Sequence, residues 1–338
     1  MSKTIIIAEA GVNHNGDLEI AKKLIDVAAE AGADYVKFQT FKADNLVTGY
    51  AKKAEYQKNN SKANETQYEM IKKLELTPED HSILINHANL RSIKFLSTPF
   101  DVDSLNLLLS LNINLIKIPS GEITNYPYLK LIAKHNKKVI LSTGMSLPDD
   151  IENALSVLIE NGTDKKNITL LHCTSEYPAP FDEINLRAIN SLRTTFNVDI
   201  GYSDHSEGIE VPIAAVALGA CILEKHFTLD KNMDGPDHKA SINPKELNQM
   251  IVGIRNIEKS LGDGIKKITK SEQKNIEIAR RSIVAKFNIK KGELLTENNL
   301  CMKRPGNGIS PMNLNKIIGT TATKDFAKDE LITLKNHE

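Results

Sequence analysis

Short apolar runs alternate with amphipathic stretches along most of the chain. Ile5-Ile-Ile-Ala-Glu-Ala10 ends in the polar loop Gly11-Val-Asn-His-Asn-Gly16. Asp17 can cap the helix that follows, whose apolar positions Ile20, Leu24, Val27 and Ala28 have helical spacing, and Gly32 stops it. Tyr35–Thr40 reads as a second strand, with Val36, Phe38 and Thr40 on one face and Lys37 and Gln39 on the other. Residues 42–66 are polar and weakly periodic and lead to a helix predicted at Gln67–Leu76; a loop of this length is usually functional, often a lid. Further strands are predicted at Ile93–Thr98, Leu115–Pro119, Lys138–Ser142, Ile168–Thr174, Asp199–Ser203 and Cys221–Phe227. Helices are predicted near 102–111, 125–135, 149–161, 185–195, 208–219 and 244–260. Eight strands thus alternate with eight helices. Continuous apolar runs suit buried parallel strands, so the pattern predicts an α/β fold, a (β/α)8 TIM barrel. An open doubly wound sheet is the alternative, but no Gly-x-Gly-x-x-Gly turn follows the first strand.

After Leu261 the barrel pattern fades. The chain divides into a barrel over 1–264, a lysine-rich linker over 265–281 and a small β-rich domain over 282–338. Ile283-Val-Ala285 and Leu294-Leu295 are its short apolar pieces, with turns at Lys291-Gly292 and Pro305-Gly-Asn-Gly308. At about 55 residues such a domain is marginal alone, and packing on another subunit would support it.

Lys+Arg and Asp+Glu number 43 each, so no charge excess points to nucleic acid or to a charged membrane surface. Cys173, Cys221 and Cys301 are far apart and form no paired framework, which fits a reducing compartment. Two of them lie in apolar runs and read as small buried hydrophobes. The N-terminal apolar run is too short for a signal peptide, and no run of about 18 apolar residues spans a bilayer. A cytoplasmic protein is expected.

In a barrel of this kind, active sites gather at the C-terminal ends of the strands. Those ends carry Glu9, Asn13, His14, Lys37, Gln39, Thr98, Phe100, Lys117, Ser120, Glu122, Ser142, Ser175, Tyr177, Ser203, His205, Glu224, His226 and then Asp237. An inert barrel has no need of polar groups at nearly every strand. Ser203 and His205 share one strand face, as do Glu224 and His226, so two histidines and a carboxylate could converge on a divalent metal. Ordinary hydrogen-bonded loop histidines are the plainer reading.

Glu9-Ala-Gly-Val-Asn-His-Asn-Gly16, Val36-Lys-Phe-Gln-Thr40, Lys117-Ile-Pro-Ser-Gly-Glu122, Ser142-Thr-Gly-Met145, Ser203-Asp-His205, Glu224-Lys-His-Phe-Thr228, Gly235-Pro-Asp237 and Lys303-Arg-Pro-Gly-Asn-Gly308 stand in this order. From about residue 4 to the end, the chain closely resembles the bacterial sialic acid synthase family, which makes nine-carbon ulosonic acids. The family joins a barrel to a SAF domain, similar to type III antifreeze proteins. The resemblance implies a transferase that forms a C–C bond between phosphoenolpyruvate and an N-acetylated mannosamine-type aldose, adds water and releases phosphate. N-acetylneuraminate and N,N'-diacetyllegionaminate are the two products it implies. It also implies a divalent cation on His205 and His226, most commonly manganese, with magnesium or cobalt as alternatives.

The same resemblance distributes the remaining roles. Lys37, Thr98, Lys117, Ser120, Ser142, Ser175 and Ser203 would bind phosphoenolpyruvate, whose two anionic groups need cations and donors. Some relatives carry Asn where this chain has Ser175. Glu9 and Glu122 are candidates for acid–base work or for orienting the water, and Glu224 for orienting a ligand histidine. Gln39, Phe100, Tyr177 and Asp237 would face the sugar, with Asn64 a candidate from the 42–66 loop. Members of the family are domain-swapped homodimers, which would carry Arg304 to the partner's barrel and onto the N-acetyl group. Two other readings compete: a Schiff-base pyruvate aldolase with Lys37 or Lys117 as nucleophile, and an inert barrel bearing an ice-binding module.

Overall fold

A computed structural model describes residues 3–53 and 65–334 of the protein; the candidate Asn64 lies outside the described residues. The chain forms two compact units, Met1–Gly262 and Asp263–Glu338. In the first, eight parallel strands form one sheet: β1 (Ile5–Gly11), β2 (Tyr35–Thr40), β3 (Lys94–Pro99), β4 (Leu115–Ile118), β5 (Lys138–Ser142), β6 (Ile168–Cys173), β7 (Asp199–Asp204) and β8 (Ile222–His226). Their order is β3-β2-β1-β8-β7-β6-β5-β4. β3 and β4, at the two ends of that order, lie against each other and bring the sheet round into a barrel.

Side-chain alternation along these strands separates two cores. Ile6, Val36, Leu141, Leu170, Ile200 and Leu223 point outward and pack beneath the helices. Ile7, Leu96, Ile140, Leu171 and Ile222 point inward and plug the barrel. Two residues further along each strand the inward position turns polar: Glu9, Thr98, Ser142, Cys173 and Glu224 follow those five. On β2 and β4, Tyr35 and Leu115 precede Lys37 and Lys117 in the same way. The site therefore rests on an apolar plug.

Local signals set the helices as expected at Leu18–Ala31, where Asp17 accepts from Glu19 N and Ile20 N and Gly32 ends the helix at φ 84°. The connection between β2 and β3 differs from the sequence reading. Its barrel-packing helix is Pro78–Leu90, started by a Thr77/Asp80 capping box. The inner face of this helix carries His81, fully buried and bonded to Thr40 Oγ1 at 2.7 Å and to Thr77 O at 2.8 Å. A polar residue on the buried face hides the apolar period. The helix predicted at Gln67–Leu76 is shorter, Gln67–Lys72, and packs with a helical turn at Ala43–Leu46 at the C-terminal end of the barrel.

The second unit has one antiparallel ladder, β9 (Ser282–Ala285) with β10 (Leu300–Lys303), supplemented by single bridges such as Ile289 to Phe326. Ile283, Ile289, Leu295, Leu300, Phe326 and Ile332 form its core. A helix, Gln273–Ala279, lies within the stretch read as a linker. Among the described residues, no helix is long and apolar enough to cross a membrane.

On the outward face of β7 and β8, Asp204 and Lys225 are register partners and bond at 2.5 Å. Both are buried, and Lys225 also donates to Ser206 O at 2.7 Å. Removing one member leaves a buried charge without its counterion. Lys225→Met is expected to cost about 3–5 kcal/mol in urea denaturation, and adding Asp204→Asn to it should recover part of that loss.

Candidate active site

Four buried charges occupy the C-terminal end of the barrel. Glu224 on β8 lies between two lysines: Oε1 is 3.5 Å from Lys117 Nζ and Oε2 is 3.5 Å from Lys37 Nζ. Lys37 is also in ion-pair contact with Glu9 on the adjacent β1. Hydroxyls complete the donors and acceptors. Lys37 donates to Thr98 Oγ1 and Lys117 to Ser142 Oγ, each at 2.7 Å, and Ser203 donates to Glu224 Oε1 at 2.9 Å.

The two carboxylates differ in charge state. Burial pushes Glu9 up to about 7, because Lys37 only partly offsets it and neighbouring Glu224 adds to it. Burial alone would also raise Glu224, but Lys117 and Lys37 outweigh it and hold that carboxyl at about 2. Burial likewise depresses both lysines; Glu224 and Glu9 reverse this for Lys37, whereas Lys117 stays below the usual range. Beyond these lysine contacts, neither oxygen of Glu9 nor Glu224 Oε2 has a hydrogen-bond partner among the described residues. This cluster is built to receive further donors or an anionic ligand.

Beside it lie the histidines. The Nδ1–H of His205 donates to Thr174 O at 2.6 Å, so its Nε2 carries the lone pair. The buried Nδ1 of His226 has no hydrogen-bond partner among the described residues and stands 4.0 Å from Asp237 Oδ2. The two rings are 5.7 Å apart, and Tyr177 stacks on His205 at 4.1 Å. Burial lowers His205 to about 4 and His226 well below its ordinary value, which keeps both imidazoles neutral. Burial raises Asp237 to about 6. Two neutral imidazoles, one with an orphaned nitrogen, fit a divalent cation that accepts nitrogen and oxygen ligands. Among the described residues, no group of three or more His, Cys, Asp or Glu is close enough to form a complete ligand set, so the fit rests on this pair.

These groups open on one cavity of ≈ 490 Å³, lined by Glu9, Lys37, Gln39, Thr98, Phe100, Lys117, Ser120, Glu122, Ser142, Ser175, Tyr177, Ser203, His205, Glu224, His226 and Asp237 but not by Arg304. Glu122 is half-buried at its wall, held by Asn125 Nδ2 at 2.5 Å. Ser120 accepts from Gly144 N at 2.9 Å and meets Cys173 Sγ at 3.3 Å. A Cβ at Gly144 would stand 2.2 Å from Ser175 Oγ, so a larger residue there would displace these hydroxyls. Arg304 belongs to the second unit, where its Nε donates to Ala279 O at 3.1 Å.

Several sequence expectations change. Asn13 braces the loop after β8, donating to Phe227 O at 2.8 Å and Ser241 Oγ at 2.9 Å, and His14 accepts from Gly16 N at 3.0 Å. Neither lines the cavity. Glu224 makes no hydrogen bond to either histidine among the described residues; it sits two positions deeper than His226 and bonds Ser203. Cys173 is buried, and it also lines the cavity; its place two residues after inward Leu171 was the available signal. The sequence reading also missed Phe41, Leu46, Val47, Gln67, Met70 and Ile71, all on the cavity wall.

A parallel barrel with paired buried lysines, carboxylates and histidines at its strand ends is the architecture of a barrel enzyme. The chain belongs to the NeuB family, whose pattern matches residues 24–266, and it carries a SAF domain at residues 280–336. It is 60% identical over 332 residues to the N,N'-diacetyllegionaminic acid synthase of Campylobacter jejuni subsp. jejuni serotype O:2, covering 98% of this chain and 99% of the relative. Identity to the N,N'-diacetyllegionaminic acid synthase of Legionella pneumophila is 48% over 324 residues, covering 95% and 91%. Among solved structures it resembles the N-acetylneuraminic acid (sialic acid) synthetase of Leptospira borgpetersenii in complex with citrate. The TM-score is 0.71 at 37% identity, over 82% of this chain and 91% of that one.

Glu9 gives the site a pH signature. A carboxyl raised from 4.5 to about 7 contributes stability that is present below pH 4.5 and is lost as pH climbs through 7. The stability of wild type relative to Glu9→Gln should therefore fall across that interval and level off above it, measured by urea denaturation of both proteins over the same pH series.

Proposed function

We propose that the chain condenses phosphoenolpyruvate with 2,4-diacetamido-trideoxymannose and water to give N,N'-diacetyllegionaminate and phosphate. The observation that carries this reading is the single cavity in which two buried lysines, held by Glu9 and Glu224, adjoin two neutral histidines. The 60% identity to a diacetyllegionaminic acid synthase favours this sugar over N-acetylmannosamine.

Lys37 and Lys117 would take the phosphate and carboxylate of phosphoenolpyruvate, with Thr98, Ser120, Ser142, Ser175 and Ser203 adding hydroxyls. C3 of phosphoenolpyruvate attacks the aldehyde carbon, which leaves an oxocarbenium-like centre at C2. Water adds to C2, and phosphate departs from that tetrahedral carbon by C–O cleavage. With its carboxyl near 7, Glu9 is suited to take the proton of that water; Glu122, on the wall, is the second candidate. Gln39, Phe100, Tyr177 and Asp237 would position the aldose. His205 and His226 would hold a divalent cation, manganese by family resemblance, that polarises the aldehyde oxygen.

The active assembly in this reading is a domain-swapped homodimer in which Arg304 serves the partner's cavity. A Schiff-base aldolase has one observation in its favour, the depressed Lys117.

Phosphate release decides between these readings. Activity should require phosphoenolpyruvate, vanish with chelator, return with manganese and leave no borohydride-trapped adduct; a trapped pyruvate adduct in chelator would favour the aldolase. His205→Ala and His226→Ala should each lose more than the ~100-fold typical of outer-shell partners, and unchanged turnover would contradict the metal assignment. Mixing Arg304→Ala subunits with His226→Ala subunits is expected to restore activity in mixed dimers; no restoration would mean that Arg304 serves its own barrel or neither.

A further inference from the structure

The cavity has two unlike sides. Over β4–β7 it presents the hydroxyls of Ser120, Ser142, Ser175 and Ser203. Over β1–β3 the strand ends contribute Glu9, Lys37, Gln39 and Thr98, and Phe41, Leu46, Val47, Met70, Ile71 and Phe100 add an apolar wall beside them. The wall belongs to a hydrophobic cluster of its own, distinct from the barrel core. Its parts are tied in place. Ala43 N donates to Glu75 Oε1 at 2.6 Å, and Asp44 accepts from Tyr68 OH at 2.7 Å and Lys72 Nζ at 3.0 Å. The Asp44 bonds join Ala43–Leu46 to Gln67–Lys72 and the Ala43 bond ties it to Glu75 just beyond, while Phe41 meets Phe100 edge to face at 6.3 Å.

Such a wall discriminates by what it cannot do. A hydroxyl pressed against it loses water and gains no partner, whereas a methyl group gains from burial. The two aldoses differ in this respect. N-acetylmannosamine carries hydroxyls at C4 and C6; 2,4-diacetamido-trideoxymannose carries an acetamido group at C4 and a methyl at C6.

We infer that the apolar wall over β1–β3 is the specificity determinant of this site, seating the C6 methyl and the C4 acetyl methyl of a deoxygenated, doubly N-acetylated aldose. This assignment rests on the synthase reading above. Val47 and Met70 hold the wall apolar, and half-buried Gln67, at the start of its helix, is a polar group on the same side of the cavity.

The test compares kcat/KM for the two aldoses in wild type, Val47→Thr, Val47→Thr/Met70→Gln and Gln67→Leu, with the KM for phosphoenolpyruvate alongside. Wild type should prefer the trideoxy sugar by about tenfold or more, the range a methyl-sized difference supports. The double variant should reduce that ratio by about tenfold, Val47→Thr by less, and Gln67→Leu should increase it, while the KM for phosphoenolpyruvate holds within about twofold. Val47 and Gln67 are half-buried, so their single variants keep the comparison readable if the substitution at buried Met70 does not fold. A wild-type preference for N-acetylmannosamine, or an unchanged ratio in folded variants, overturns the assignment. Absence of phosphate release from both sugars in wild type defeats the synthase reading and removes the inference with it.

Discussion

Glu224 between Lys37 and Lys117 is the constraint on which the rest of the site depends. Two ammonium groups inside a barrel are unfavourable unless a carboxylate neutralises them at close range. Glu224 serves both, with one oxygen 3.5 Å from each. Glu9 adds a second, weaker counter-charge, because burial brings its carboxyl to about 7. A proton on Glu9 leaves two cations facing one carboxylate, a net positive pocket for an anion. The pocket can therefore change charge near neutral pH while Glu224 stays ionised at about 2.

Strand alternation delivers these groups. On β7 and β8, Ser203 and Glu224 are register partners on the inner face, and Asp204 and Lys225 are partners on the outer face. The outer pair fixes the two strands immediately beside His205 and His226. Inside, each polar residue stands two positions beyond an apolar or glycine plug position, from Ile7–Glu9 to Gly201–Ser203 and Ile222–Glu224. A Cβ on Gly201 would lie 2.5 Å from Ile222 O and Leu171 Cδ2, so the plug closes only around glycine there. The same close fit recurs above it at Gly144.

Much of this was legible in the sequence because period two is short-range: a strand's inward residues can be read from its own few positions. The eight strands and nearly all of the cavity's charged groups follow from that. Pro78–Leu90 was not legible, because His81 stands where the apolar period needs a hydrophobe, and its partner Thr40 lies on another element. The apolar wall was not legible either. Leu46 and Met70 meet only after folding, and as apolar residues they carry no chemical flag. Asn13 and His14 carried the flag but bond the backbone of loops instead. Arg304 was named through family resemblance alone, since nothing in its local sequence separates it from a surface arginine beside a turn.

The central claim is that one carboxylate holds two lysines ready for one anion. A crystal structure of the protein with phosphoenolpyruvate tests it most directly. The expected result places phosphate or carboxylate oxygens within hydrogen-bond distance of both Lys37 Nζ and Lys117 Nζ, with Glu224 still between them. Phosphoenolpyruvate bound away from both lysines, or Glu224 displaced from them, would contradict the account.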